Sequence, residues 1–146
     1  MFRTILVPTD GSELAEKAVK AAIELARQID GMIVAVAVAE PAPIVALSEG
    51  GAIPGDLHSY EDKAKLVAQL HAQRVKDEAA LANVPCEMVV KYAPRPYEEI
   101  IAAAKQFNCD AIFMSSHGRT GLNRLILGSQ TQKVLAHTNI PVLVFR

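Results

Sequence analysis

Small and polar residues cluster near the end of the sequence, and their types are those that bind phosphate groups. The cluster comprises Ser115, Ser116, His117, Gly118, Arg119, Thr120 and Gly121, then Gly128, Ser129, Gln130 and Thr131. Gly118 and Gly128 allow a ligand to approach the backbone closely. A helix beginning near Ser129 would direct free N–H groups and the positive end of its dipole at an anion. The cluster therefore predicts a phosphate site, with an ordinary glycine turn and a serine helix cap as the alternative.

The charge distribution agrees with this prediction. The chain has a net charge of −1, but after Asp110 it contains no Asp or Glu, and its charged residues there are Arg119, Arg124, Lys133 and Arg146. A basic end of this kind attracts anions, although an apolar last helix and strand that simply lack acids would look the same. The cluster is neither a Walker A loop, since no G-K-[ST] occurs, nor the G-x-G-x-x-G fingerprint of dinucleotide-binding folds.

A second polar segment, Pro8-Thr9-Asp10-Gly11-Ser12, follows a short apolar run at residues 5–7. Asp10 could hold a ribose hydroxyl or a metal ion, or it could only cap the start of the next helix. In open α/β sheets, ligands bind beyond the carboxyl ends of the strands. Asp10 would then face the same crevice as the glycine cluster, which favours a binding role.

The sequence offers no convincing catalytic or metal-binding group. Ser115 and Ser116 do not lie in a G-x-S-x-G elbow, which argues against an esterase, and His117 is interpreted as a loop donor. The histidines are scattered and carry no metal-ligand spacing: His58, His71, His117 and His137. We therefore expect a binding protein with no metal site of its own and no enzymatic activity.

Length and composition indicate one globular domain spanning residues 1–146. Charged residues make up 21% of the chain and mean hydropathy is +0.19, with no apolar run long enough to cross a bilayer. The first residues lack the layout of a signal peptide. Cys86 and Cys109 form no C-x-x-C motif, which fits a reducing compartment. These features predict a cytoplasmic protein.

Hydrophobic periodicity predicts five buried strands that alternate with four helices. The strands fall near residues 5–7, 33–38, 86–90, 111–114 and 140–145, and the helices near 12–29, 58–83, 96–107 and 129–137. Strict alternation implies a parallel, doubly wound sheet with helices on both faces. Residues 40–57 are rich in Pro and Gly and form the least regular stretch, of a kind that is usually functional or mobile.

The sequence resembles the universal stress protein family over essentially its whole length. The matching motifs are the opening Ile5-Leu6-Val7-Pro8-Thr9-Asp10-Gly11-Ser12, then Pro96-x-x-Glu99-Ile100, Ser116-His117-Gly118-Arg119-Thr120-Gly121-Leu122, Leu127-Gly128-Ser129 and Pro141-Val142-Leu143-Val144. The nucleotide-binding branch of that family carries G-x2-G-x9-G-[ST]. Gly118, nine further residues and Gly128-Ser129 match its last two elements, whereas Ser115 occupies the position of the first glycine.

The resemblance implies a Rossmann-like fold of the adenine nucleotide alpha hydrolase type, with strand order 3-2-1-4-5. It implies adenine contacts at Pro8, Thr9, Asp10, Val38 and Met114. It implies ribose and phosphate contacts at Asp10, Ser115, Gly118, Gly128, Ser129, Gln130 and Thr131. Arg119 is included among the predicted binding residues because its positive charge would attract phosphate groups. The ligand would be ATP, which magnesium often accompanies.

Three functions are consistent with the sequence. The leading one is an ATP-binding regulatory module that acts as a homodimer in stress response. A scaffold dimer that binds no nucleotide is favoured by Ser115 and opposed by the intact spacing from Gly118 to Ser129. An ATP-using enzyme is the third. The dimer would form through the apolar run 140–145, from Ile140 to Phe145, because an uncovered edge strand is a template for pairing; neither nucleic acid nor a membrane is an expected partner.

Overall fold

A parallel five-stranded sheet with a helical layer on each face organises the computed structural model, which describes residues 2–42, 57–119 and 126–146. The elements in chain order are β1 Thr4–Pro8, α1 Glu13–Gln28, β2 Met32–Ala39, α2 Leu57–Leu81, β3 Cys86–Tyr92, α3 Pro96–Gln106, β4 Ala111–Ser115, α4 Ser129–His137 and β5 Val142–Phe145. The strand order is β3-β2-β1-β4-β5, and every pair is parallel. The α/β fold class and the strand order predicted from the sequence are confirmed.

Alternating side chains of the central strands form two cores. Ile5 and Val7 of β1 pack with α1 and α2 on one face, whereas Leu6 packs with α3 and α4 on the other. All three side chains are completely buried. Because both faces are covered, β1 needs apolar residues at consecutive positions, which is why it appears in the sequence as an unbroken apolar run.

Three of the four helices are terminated in the same way. Two residues after the last helical residue stands an Asp or Asn with positive φ: Asp30, Asn83 and Asn108. After α1, the N–H of Gly31 donates to the carbonyl of Ala26 at 2.8 Å, which closes the last turn. The sequence suggested that Gly31 stops this helix. The left-handed residue is in fact Asp30, and position 31 is restricted to glycine because a Cβ there would lie 2.6 Å from the carbonyl of Arg3.

Two helices expose apolar side chains that the periodicity had assigned to the core or had not anticipated. On α2, Leu66 and Leu70 are 57% and 59% exposed. The helical period of the sequence predicts Val67 on the inward face of α2 and Leu135 on that of α4, but these side chains are 40% and 43% exposed. The buried face of α2 comprises Ala68, Ala72, Val75 and Ala79, of which the period predicts all but Ala72.

The edge strand β5 is shorter than predicted. The predicted run began at Ile140, but the strand covers only Val142–Phe145. Pro141 has no N–H to donate, although its carbonyl accepts the N–H of Ile112 at 2.9 Å. Most of the irregular stretch 40–57 lies outside the described residues, as do Gly121 and Arg124. None of the described helices is both long and apolar enough to cross a membrane.

Candidate functional site

The sheet order places β1 and β4 side by side at its centre, where the direction of strand connection reverses. Leu6 of β1 pairs with Ile112 of β4. The carboxyl ends of these two strands, Pro8 and Ser115, therefore lie at the same edge of the sheet. A crevice at such a reversal point is the usual ligand site of open α/β sheets.

Asp10 lies at this edge and joins the two loops. One carboxylate oxygen, Oδ1, accepts the N–H of Ser12 at 3.0 Å, and the other, Oδ2, accepts the N–H of Arg119 at 2.9 Å. Helix α1 is capped by the neighbouring residue, since the N–H of Ala15 donates to Ser12 Oγ. Asp10 thus supports the helix start only indirectly, and it holds the loop after β4 against the loop after β1.

Gly118 packs directly on this carboxylate. A Cβ at position 118 would lie 2.8 Å from Asp10 Oδ2, closer than ordinary carbon–oxygen contact. Gly128 is restricted more strictly, because a Cβ there would lie 2.8 Å from the backbone carbonyl of Ser116, which cannot move aside as the end of the Asp10 side chain can. The N–H of Gly128 also donates to that carbonyl at 2.6 Å. Both glycines are therefore explained by close approach within the protein, which brings the start of α4 against the Ser116–Gly118 backbone.

Among the described residues, no side chain caps the first turn of α4. Gly128 is the N-cap residue and supplies no side chain, and Ser129 is exposed. The first N–H groups of a helix have no partner within the helix, so the start of this nine-residue helix favours a negative charge. The two following polar side chains have other partners: Thr131 Oγ1 donates to the carbonyl of Ser115 at 2.9 Å, and Gln130 Oε1 accepts the N–H of Tyr97.

The remaining predicted site residues surround the same strand ends. Pro8 is the last residue of β1 and Thr9 follows it, and the N–H of Thr9 donates to the carbonyl of Val36. Met114 is buried, and Val38 packs against the cluster that contains it. Met114 and Val38 would offer an apolar surface beside the polar groups. Ser115, which replaces a family glycine, is not among the described non-glycine residues with positive φ, so a side chain costs no backbone strain there.

The side chain of Arg119 contacts the loop after β1 and helix α2. Its Nε donates to the backbone carbonyl of Asp10 at 2.7 Å, and one terminal nitrogen lies 2.8 Å from Nε2 of His71 on α2. Arg119 therefore contacts both the loop after β1 and a helix that the sequence did not associate with the site.

His71 is the residue that the sequence analysis missed. Its ring packs on Gly11, which has a φ of +75° and has no space for a Cβ on that side. Burial lowers the pKa of the His71 imidazole below its usual value, and the nearby charge of Arg119 acts in the same direction. The neutral ring is thus favoured as an acceptor. No local motif marks His71, because 48 residues separate it from Arg119.

Ser116 and His117 form a hydrogen-bonded pair beneath the loop. Ser116 is only 1% exposed, and its Oγ lies 2.8 Å from Nδ1 of His117. Nε2 of His117 is buried and has no hydrogen-bond partner among the residues that the structure describes. A hydroxyl so deeply enclosed is not presented to a ligand. Within residues 2–42, 57–119 and 126–146, no group of three or more His, Cys, Asp or Glu could hold a metal ion.

Comparisons with known proteins place this geometry in a family. The Universal stress protein family (Usp) matches residues 1–146. A universal stress protein of Thermus aquaticus, encoded in the QAH/OAS sulfhydrylase 3′ region, is 35% identical over 147 residues and is covered in full, as is this chain. The solved structure of protein MJ0577 of Methanocaldococcus jannaschii superimposes with a TM-score of 0.83 at 29% identity, covering 99% of this chain and 96% of that one.

More distant structures share the fold and contain nucleotides. A universal stress protein from Archaeoglobus fulgidus in complex with dAMP superimposes with a TM-score of 0.70 at 18% identity, covering 100% of this chain and 98% of that one. A universal stress protein in complex with cAMP gives 0.67 at 18% identity, covering 99% and 97%. At this identity the likeness shows the fold alone. The match across residues 1–146 and the full-length relative show that this chain belongs to the universal stress protein family.

Proposed function

We propose that this protein binds ATP, accompanied by Mg²⁺, between the loops that follow β1 and β4. The observation that carries the proposal is that the Asp10 carboxylate and the start of α4, which no described side chain caps, lie at the same edge of the sheet on either side of the Gly118–Arg119 backbone. An acceptor for sugar hydroxyls and a donor array for phosphates then lie at one sheet edge. The adenine nucleotide complexes of proteins with the same fold support this ligand class.

The proposed contacts follow from the chemistry of each group. The free N–H groups at the start of α4 and the exposed hydroxyl of Ser129 suit phosphate oxygens. The Asp10 carboxylate suits a ribose hydroxyl, since it only accepts hydrogen bonds. Val38 and Met114 suit the apolar faces of adenine. A bound Mg²⁺ would offset phosphate charge.

We infer a regulatory role in stress response, with no enzymatic turnover, in the cytoplasm. The described loops present neither Ser116 nor His117 as a nucleophile or base, because the serine is buried and hydrogen-bonded to the histidine. Cys86 and Cys109 are unpaired thiols, as expected for a reducing compartment. Ligand binding would change the protein's affinity for a partner.

We further propose that two copies pair through β5. This strand forms one edge of the sheet, and Leu143 on it is 50% exposed. An edge strand leaves backbone donors and acceptors unpaired. Pairing about a two-fold axis would use the same strand from both copies.

Calorimetric titration of the purified protein with ATP and MgCl₂ tests the nucleotide proposal. We expect saturable binding, and Asp10→Ala should weaken it at least tenfold, which is about 1.4 kcal/mol. Gly128→Ala should weaken it similarly by displacing the Ser116 carbonyl. The exposed Gln106→Ala at the end of α3 is the matched control. Circular dichroism verifies that each variant is folded. An absence of binding at millimolar ATP by folded unmodified protein would favour the scaffold function.

A further inference from the structure

We infer that His71 is a positioning residue that lowers the nucleotide affinity of the site. It does so by holding Arg119 where the backbone N–H of Arg119 donates to Asp10 Oδ2. This inference rests on the proposed nucleotide site. It adds a residue from α2 to that site and gives it a regulatory role.

Four contacts connect His71 to Asp10 through a single residue. One guanidinium nitrogen of Arg119 lies 2.8 Å from Nε2 and 3.3 Å from Nδ1 of His71. The Nε of Arg119 donates to the Asp10 carbonyl at 2.7 Å, and its backbone N–H donates to Asp10 Oδ2 at 2.9 Å. The side chain and the backbone of Arg119 are therefore fixed together. A hydrogen bond between an ionised donor and a neutral acceptor is stronger than a neutral pair.

The same arrangement competes with a ligand. Asp10 Oδ2 already accepts Arg119 N–H, and Gly118 packs close against this oxygen. A ribose hydroxyl that donates to Asp10 Oδ2 competes with the Arg119 N–H for the charge of this oxygen and with Gly118 for the space beside it. Any interaction that holds Arg119 in place lowers the apparent affinity, because only the fraction of molecules with a released Arg119 can bind.

The contact requires a neutral imidazole. Arginine has donors and no acceptor, so His71 must accept, and protonation would remove the acceptor and place two positive charges in contact. The charged groups around the ring are Arg119 and Asp10 from the two loops, Arg74 and Glu78 from α2, and Glu16 from α1. Arg74 forms ion pairs with both Glu16 and Glu78.

These surroundings favour the neutral form near neutral pH. Burial lowers the His71 pKa, Arg119 and then Arg74 lower it further, and Asp10 acts in the opposite direction. The contact with Arg119 is therefore present at and above the ordinary histidine pKa of about 6.5, and it is lost only as the pH falls through the lower pKa that His71 has in the folded protein. Nucleotide affinity should rise as the contact is lost.

Calorimetric titration with ATP and MgCl₂ at pH 8.0 and pH 5.5 tests the inference with two variants. His71→Phe removes the acceptor, and we expect it to raise affinity at least threefold at pH 8.0. His71→Gln retains a neutral acceptor at both pH values, so it should match the unmodified protein at pH 8.0 and lack its gain at pH 5.5. Comparing the two proteins at each pH cancels the protonation of ATP itself.

A measurement without nucleotide separates this inference from the proposed function. Amide hydrogen exchange at Arg119 should accelerate at least threefold in His71→Phe and remain unchanged in His71→Gln at pH 8.0. Unchanged exchange and unchanged ATP affinity in His71→Phe overturn the inference while the nucleotide site stands. If no variant binds ATP but exchange at Arg119 responds as expected, the proposed function fails and the positioning contact alone is real.

Discussion

The side-chain carbonyl of Gln130 accepts the backbone N–H of Tyr97 at 3.0 Å, so the first turn of α4 holds the first turn of α3. Helix α3 begins at Pro96, and its N-cap residue Arg95 makes no side-chain capping bond. Gln130 therefore replaces the missing local cap with one from another helix. Its amide oxygen is engaged in the protein, so the groups of Gln130 that could still donate to a phosphate are its backbone N–H and its side-chain NH2.

Replacing Gln130 with Ala should destabilise the fold. The change leaves the N–H of Tyr97 unsatisfied in a half-buried position, and we expect the free energy of unfolding to fall by about 1 kcal/mol. Urea denaturation followed by circular dichroism measures this. Gln132→Ala on the same helix is a useful comparison, because the exposed Gln132 side chain donates to the Leu127 carbonyl just before the helix. ATP affinity should change less than twofold in Gln130→Ala; a tenfold loss would show that the side chain contacts the ligand.

Replacing Leu143 with Lys should prevent pairing through β5 without disturbing the monomer. Leu143 is half exposed, whereas its neighbours Val142 and Val144 are more buried, so a charge at position 143 is the least disruptive to the core. Two lysines near a two-fold axis would repel each other. We expect analytical ultracentrifugation to show a dimer for the unmodified protein and a shift to 15.7 kDa monomers for Leu143→Lys.

The matched control is Leu135→Lys on α4, which introduces the same charge at a site of similar exposure outside β5. It should remain dimeric. A monomeric unmodified protein at micromolar concentration would contradict the proposed interface, and so would a dimer that persists in folded Leu143→Lys.

Asp110 should make the stability of the fold depend on acidic pH. Its Oδ2 accepts the N–H groups of Arg3 and Thr4 at 2.7 and 2.9 Å, and these bonds lower the pKa of its carboxyl. A lowered pKa means that the stabilisation is complete above the ordinary value of about 4 and is lost as the pH falls through the folded-state value. Asp110→Asn should lower the melting temperature at pH 7, with a smaller difference from the unmodified protein at pH 2.5.

Thermal denaturation at several pH values measures this effect. Asp62→Asn, at an exposed position on α2, is the control and should follow the unmodified protein throughout. Equal melting temperatures of Asp110→Asn and unmodified protein at pH 7 would contradict the role of the carboxylate in holding the start of β1.

The sequence by itself determined the order of elements and the sheet. Buried strands need continuous apolar runs, helices need the 3.6-residue period, and strict alternation permits few connections, so local patterns suffice for the architecture. The start of α1 could also be predicted from the sequence, because the Ser12 side chain caps the helix by accepting the N–H of Ala15, only three residues further along. The glycine spacing at Gly118 and Gly128 marked the family and the sheet edge where a ligand would bind.

Only the tertiary structure decided which side chains meet at that edge. The Asp10–Arg119 and His71–Arg119 contacts join residues 109 and 48 positions apart, and Gln130 reaches Tyr97 across 33. Periodicity reports which face of an element is buried, but it carries no information about which loop a long polar side chain will reach. That choice depends on how the sheet order brings separate loops together and on which hydrogen-bond partners they offer there.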